Sequence, residues 1–301
     1  MKAFRTILLP IFILIILSCG SDSVASGNKT VPAIYELMPG GTHFYEGNTL
    51  KGLAFLASEM SLLTAGIVLE NKRDGELNIP LLFAGQIYTI EKCDYSLRKI
   101  TDFYRTHTYR NRAIRYDNSP LVELMSAPFR PTVIFSPLVL CWAVLGFFDG
   151  MYAYPEHNST WHDIDNARLY GSTHDRGQST FWYETSVSAI SWGAAVSEEM
   201  LFRGIMLPAL DKRYGKRAGL ITSSLVFGLL HLSNPGIDKP VYFVTQATAA
   251  GLAFGYHAQR NQYRLDKVIA AHFWYNIVSM TTTWLANPKE NPLEFSVRFT
   301  L

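Results

Sequence analysis

Long uncharged stretches divide the chain. Residues 131–148, 218–237, 240–259 and 268–288 each run for at least 18 residues without Asp, Glu, Lys or Arg. That is the length a helix needs to cross about 30 Å of hydrocarbon. Two further apolar stretches are interrupted: 52–69 by Glu59, and 182–210 by Glu198, Glu199 and Arg203, with Glu184 near its start. Residues 79–90 form an apolar run of only 12, which predicts a short interfacial helix. The pattern predicts an all-α, polytopic membrane protein, a helical bundle of about six spans after an N-terminal signal segment.

Residues 1–19 read as a signal peptide or lipoprotein leader. Lys2 and Arg5 precede the apolar run Ile7 to Leu17. Ile16-Leu17-Ser18-Cys19 resembles a bacterial lipobox, which makes Cys19 the lipidation candidate. Residues 20–36, rich in Ser, Gly and Asn, read as a linker. Residues 37–153 read as an N-terminal membrane module with a cytoplasmic basic segment. An external polar loop over 154–180, a core over 181–288 and a tail over 289–301 complete the expected organisation. Lys and Arg mark the cytoplasmic side of membrane proteins. With residue 20 outside, 20 of the 27 basic residues fall inside. This predicts a multi-pass protein of the bacterial inner (cytoplasmic) membrane, with the mature N-terminus and the C-terminus outside.

Composition adds little until its distribution is read. The chain has 301 residues, 48% hydrophobic and 17% charged. An average domain carries about 25% charged residues. Mean hydropathy is only +0.07, because the polar loops 91–130 and 149–184 dilute the spans. A net charge of +2 gives no basis for a nucleic-acid partner. The implied partners are membrane lipid and a peptide or membrane-protein substrate. Three scattered cysteines make neither a disulfide framework nor a zinc cluster.

Ionisable groups at membrane depth are costly and mark functional sites. Glu199 and Arg203 stand four apart with the acid first, the favoured order for a helical ion pair. Glu198 points about 100° away from that pair and reads as a free carboxylate facing a cavity. Phe227 and His231 share one helical face before Ser233-Asn-Pro-Gly236 ends the helix. His272 and Asn276 lie one turn apart on the last span. The set offers a general base, two imidazoles and a carboxamide, which suits acyl transfer to water. Glu198, helped by His231, takes a proton from water. The hydroxide attacks a peptide carbonyl, and His272 and Asn276 stabilise the oxyanion. Zn²⁺ held by Glu198, His231 and His272 is the metal-assisted version. The bland alternative is that both acids only pair with neighbouring helices.

Glu198-Glu-Met-Leu-Phe-Arg203, Phe227-Gly-Leu-Leu-His231 and His272-Phe-Trp-Tyr-Asn276 look like the three signature motifs of the CPBP intramembrane proteases. That family includes CAAX prenyl proteases and bacteriocin-processing and immunity proteins. The resemblance covers roughly residues 181–288. It implies an all-helical membrane core and a metal-dependent or glutamate-type endopeptidase. By that resemblance Glu198, His231, His272 and Asn276 carry the chemistry, with Glu199, Arg203 and Phe227 in support. A catalytically silent immunity or scaffold protein on the same fold is the alternative, and a transporter a third reading. Outside this region, Pro39-Gly40, Phe44-Tyr45 and Lys51-Gly52 resemble a short motif of small bacterial membrane modules. Gly251-x-x-x-Gly255 predicts a close helix–helix seam.

Overall fold

The computed structural model describes residues 31–72, 75–106, 116–152, 159–233 and 240–299. The leader with Cys19, and residues 234–236 that close the second motif, lie outside them. The helices are α1 (Ala33–Leu37), α2 (Gly41–Tyr45), α3 (Thr49–Glu70), α4 (Ile79–Thr106), α5 (Leu121–Ser126), α6 (Pro131–Ile134) and α7 (Pro137–Tyr152). Then come α8 (Arg176–Glu199), a π-helical segment (Met200–Met206), α9 (Leu207–Tyr214), α10 (Lys216–Leu230), α11 (Pro240–Arg260) and α12 (Asp266–Ala286). Three short strands accompany them: β1 (Ile164–Leu169), β2 (Ser172–Asp175) and β3 (Ser296–Phe299).

The chain is mostly helical, and four expectations are corrected. The interfacial helix expected over 79–90 is the first part of the 28-residue α4. It does not stop at its polar residues, because Glu91, Lys92, Asp94 and Arg98 all find partners. The stretch 131–148 is broken between α6 and α7, where Ser136 precedes the helix-starting Pro137. The helix of 218–237 ends at Leu230 and passes into a 3₁₀ turn, His231–Ser233. Finally, the stretches expected as a polar loop over 154–180 and a tail over 289–301 share an antiparallel sheet of order β2-β1-β3 within the otherwise helical chain. By length and composition, one helix among the described residues, Thr49–Glu70, is long and apolar enough to cross a membrane.

The residues gather into two compact units. The first comprises the chain up to Leu53, Thr89–Leu121 and Glu198–Leu265. Its N-terminal part explains the Pro-Gly/Lys-Gly motif physically. Gly40 has φ +70° and abuts the Gly52 carbonyl so closely that a Cβ would overlap it. Gly40 N and Thr42 Oγ1 donate to the two oxygens of Glu91, at 2.9 and 2.6 Å. Lys51 reaches Asp94 at 2.6 Å, and Arg98 bridges Asp94 and Glu46. Arg98 Nη2 also donates to His43 Nδ1, 3.3 Å away, so the His43 hydrogen sits on Nε2, facing Asp94. Burial lowers the His43 pKa, helped by Lys51 and Arg98 and opposed by Asp94 and Glu91. Burial opposes ionisation of Glu46, yet Arg98 and Lys99 outweigh it and hold that carboxyl below its ordinary range.

Also in the first unit, Gly215 (φ +88°) separates α9 from α10, a backbone state that suits glycine. Asp211 on α9 accepts hydrogen bonds from Tyr263 Oη (2.6 Å) and Gln259 Nε2 (2.8 Å). These bonds fix the left-handed turn that follows α11, where Gln262 and Tyr263 have positive φ. Gly251 approaches Ser224 of α10, so the Gly251-x-x-x-Gly255 seam lies against α10.

The second unit comprises Ala54–Tyr88, Val122–Ser197 and the chain from Asp266 onward. Its core packs Tyr183, Val187 and Ile190 of α8 against Trp284, Leu293, Phe295 and the inward residues of β1. Tyr183 stacks on Trp284 at 4.4 Å. Helix α7 lies along α12 through two glycines. A Cβ on Gly146 would meet the Tyr275 carbonyl, and one on Gly150 the Ser279 carbonyl. This is a small-residue contact of the kind that lets helix backbones approach closely.

Candidate functional site

The chain places the proposed site residues in both units. Glu198, Glu199, Arg203, Phe227 and His231 belong to the first, and His272 and Asn276 to the second.

In the first unit, α8 runs to Glu199 and continues as the seven-residue π segment that carries Arg203. π-helical turns are rare and recur at functional sites. Glu199 and Arg203 are fully buried and paired at 3.0 Å. The guanidinium lies among three aromatic rings, its carbon 4.3 Å from the Phe227 centroid, 5.6 Å from Phe254 and 5.9 Å from Phe202. Such cation–π contacts offset part of the cost of burying the charge. Phe202 and Phe227 also meet edge to face, 5.0 Å apart.

Phe227 has a second task. Its ring lies 4.7 Å from the imidazole of His231, and its carbonyl oxygen is 2.8 Å from His231 Nδ1. A carbonyl only accepts, so Nδ1 carries the hydrogen, and in the neutral ring Nε2 keeps a lone pair. The helix end makes this possible, since α10 stops at Leu230 and the Phe227 carbonyl lies in its last turn.

Glu198 is half-buried, and its Oε2 is buried without a hydrogen-bond partner among the described residues. Its neighbour Glu199 takes the Arg203 pair. Of the two adjacent acids, Glu199 takes the ion pair with Arg203, and Glu198 makes no such pair on its own helix. The sequence separates them in the same way, by helical spacing.

In the second unit, His272 and Asn276 lie one turn apart on α12, with His272 buried and Asn276 half-buried. Tyr275 between them donates to Asp149 of α7 at 3.0 Å, and Ser279 donates to the same oxygen at 2.9 Å. Trp142 packs edge-on to Tyr275 at 5.5 Å. The last motif is thus pinned to α7 through Tyr275, with Ser279 one turn further on adding a second contact. Among the described residues, no group of three or more His, Cys, Asp or Glu side chains is arranged to hold a metal ion.

Residues 181–278 match the family model described as Rce1-like, type II CAAX prenyl endopeptidase. This stretch is similar to the CAAX-protease family. The match takes in all three motifs, about a third of the chain, and the family is one of membrane-associated proteases. No curated protein and no solved structure matches the chain. Within the matched stretch, sequence reasoning missed Phe202 and Phe254 as walls around Arg203. Phe254 sits in the Gly251–Gly255 seam, where a packing role hid its contact with the ion pair.

Proposed function

We propose that the chain is a polytopic intramembrane endopeptidase that uses a glutamate-activated water. Glu198 takes a proton from water, and the resulting hydroxide attacks the carbonyl carbon of a peptide bond. His231 assists through Nε2, the nitrogen left with a lone pair. His272 and Asn276 donate hydrogen bonds to the developing oxyanion. The C–N bond then breaks as the nitrogen takes a proton, leaving a free amine and a carboxylate. Glu199, Arg203 and Phe227 hold the first two motifs in shape.

The observation that carries this reading is the family match over the three motifs. The open acceptor of Glu198, beside a Glu199 already paired with Arg203, supports it. For the membrane assignment, α7 exposes Leu140, Val144, Leu145, Phe147 and Phe148, a face suited to hydrocarbon. The six-span topology, with both mature termini outside, is part of the same proposal.

The test is hydrolysis of membrane-peptide libraries by the purified full chain in proteoliposomes. Cleavage that disappears in Glu198→Ala supports the reading, and full activity in that variant sinks it. Chelation separates the two versions of the chemistry. Activity lost to a chelator and restored by Zn²⁺ would favour the metal-assisted version, for which Glu198, His231 and His272 are the candidate ligands.

A further inference from the structure

The segment 125–130, just ahead of α6, lies outside the family match, yet it grips the helix that carries His272 and Asn276. It does so through three successive residues. The Pro128 carbonyl accepts a hydrogen bond from Trp274 Nε1 at 2.9 Å. The Phe129 ring meets Phe273 edge to face at 5.4 Å. Arg130 reaches Asp266, the first residue of α12, at 3.6 Å. Positions 266, 273 and 274 stand at i, i+7 and i+8, so these contacts line one face of α12 over two turns. A second tryptophan anchors the segment from another helix, with Trp192 Nε1 of α8 donating to the Met125 carbonyl at 2.8 Å. Ala127 and Pro128 are buried, which keeps the two acceptor carbonyls in place.

The gripped residues are the immediate neighbours of the proposed oxyanion donors. Phe273 follows His272, and Trp274 precedes Asn276 by two. A helix that slips by one residue moves about 1.5 Å along its axis and turns by about 100°. Either movement would carry a donor out of hydrogen-bond reach of a reacting oxygen. Contacts at both 266 and 273–274 oppose sliding and rotation together, which a single contact could not do.

We infer that residues 125–130 form a clamp that sets the register of α12, with Arg130 and Trp274 as positioning residues for His272 and Asn276. The inference rests on the endopeptidase reading for its effect on rate, but the clamp itself has a readout that needs no substrate.

Full-length protein is prepared as wild type, Trp274→Phe, Arg130→Ala, Arg130→Lys and the charge-swapped pair Arg130→Asp/Asp266→Arg. Trp274→Phe deletes the indole N–H donor and keeps a smaller aromatic ring in its place. Displacement by about 1 Å at a reacting group costs up to about a hundredfold in rate. Trp274→Phe and Arg130→Ala should therefore lower kcat by about tenfold or more with KM changed by less than about twofold. Arg130→Lys and the swapped pair should recover most of that loss. Unchanged kcat in both variants, or a loss in KM alone, overturns the positioning role. In parallel, amide hydrogen exchange over 267–276 should quicken in Trp274→Phe and Arg130→Ala, with the rest of the second unit unaffected. Unchanged exchange there overturns the clamp. A wild type that cleaves nothing, with quickened exchange in the variants, would remove the endopeptidase reading and leave the clamp standing.

Discussion

The guanidinium carbon of Arg203 lies 4.3 Å from the centre of the Phe227 ring, while the carbonyl of Phe227 holds the imidazole of His231. One residue therefore touches both the buried ion pair of the first motif and the histidine of the second. Replacing Phe227 with Leu removes the π face but leaves the carbonyl. We expect a stability loss of about 2 kcal/mol from the lost cation–π contact and packing, together with a lower kcat. Thermal unfolding and peptide hydrolysis on the same preparation check this. Wild-type kcat in a folded Phe227→Leu protein would break the link between the two motifs.

Glu198 and Glu199 should separate cleanly under mutation. Glu199→Gln leaves Arg203 buried without its counter-ion, a change that costs about 3–5 kcal/mol where a buried pair is broken. Glu198→Gln removes a carboxylate with an open acceptor and should leave the unfolding midpoint at or above wild type while abolishing hydrolysis. If instead Glu198→Gln is the destabilising change, the structural and chemical roles are reversed.

The network around His43 predicts a pH dependence with two limbs. The folded pKa of His43 lies below 6.5, so the unfolded chain takes up this proton first as pH falls. Stability is complete above pH 6.5 and declines from there down to the folded pKa. Glu46 is also lowered in the fold, so its contribution is present above 4.5 and is lost as pH drops through its folded value. Unfolding midpoints measured between pH 8 and pH 4 should fall in that order. His43→Gln should flatten the first limb and keep the second. A variant that still loses stability from pH 6.5 would assign that limb to another group.

Phe295 follows α12 in sequence and packs edge-on against Tyr183 and Trp284, at 5.8 and 6.4 Å. Phe295→Ala should cost about 3–5 kcal/mol, as for other buried aromatic truncations. A chemical denaturation series reads this directly. A loss under about 1 kcal/mol would mean that the tail does not contribute to the core.

Much of the candidate site was legible in the sequence because its chemistry sits at helical spacing. Glu199 with Arg203, Phe227 with His231 and His272 with Asn276 are all four apart, and an apolar surrounding makes such residues conspicuous. The Arg203 cage was not legible, because Phe254 comes from α11 and only tertiary packing brings it near. The length of α4 was misread for a related reason. Its charges look like the end of an apolar segment, but Glu91 and Asp94 are answered by Gly40, Thr42 and Lys51 from elsewhere in the first unit. The glycines at 146 and 150 carried a readable signal, the same four-residue spacing noticed at 251 and 255, yet the apolar run around them drew attention to length instead. The sheet was hidden because its strands are four to six residues long and two of them are polar.

That sheet has a consequence for synthesis. Strand β3 pairs with β1, joining Phe299 to Ile164 and Ser296 to Arg168. The partners are separated by the whole of the proposed catalytic stretch. During translation, β1 and the hairpin to β2 emerge with one edge unsatisfied, and they stay so while α8 to α12 are made. The second unit can close only after residue 299 has left the ribosome. In the interval between, that edge carries unpaired backbone groups, the kind of exposed strand edge from which misassembly starts.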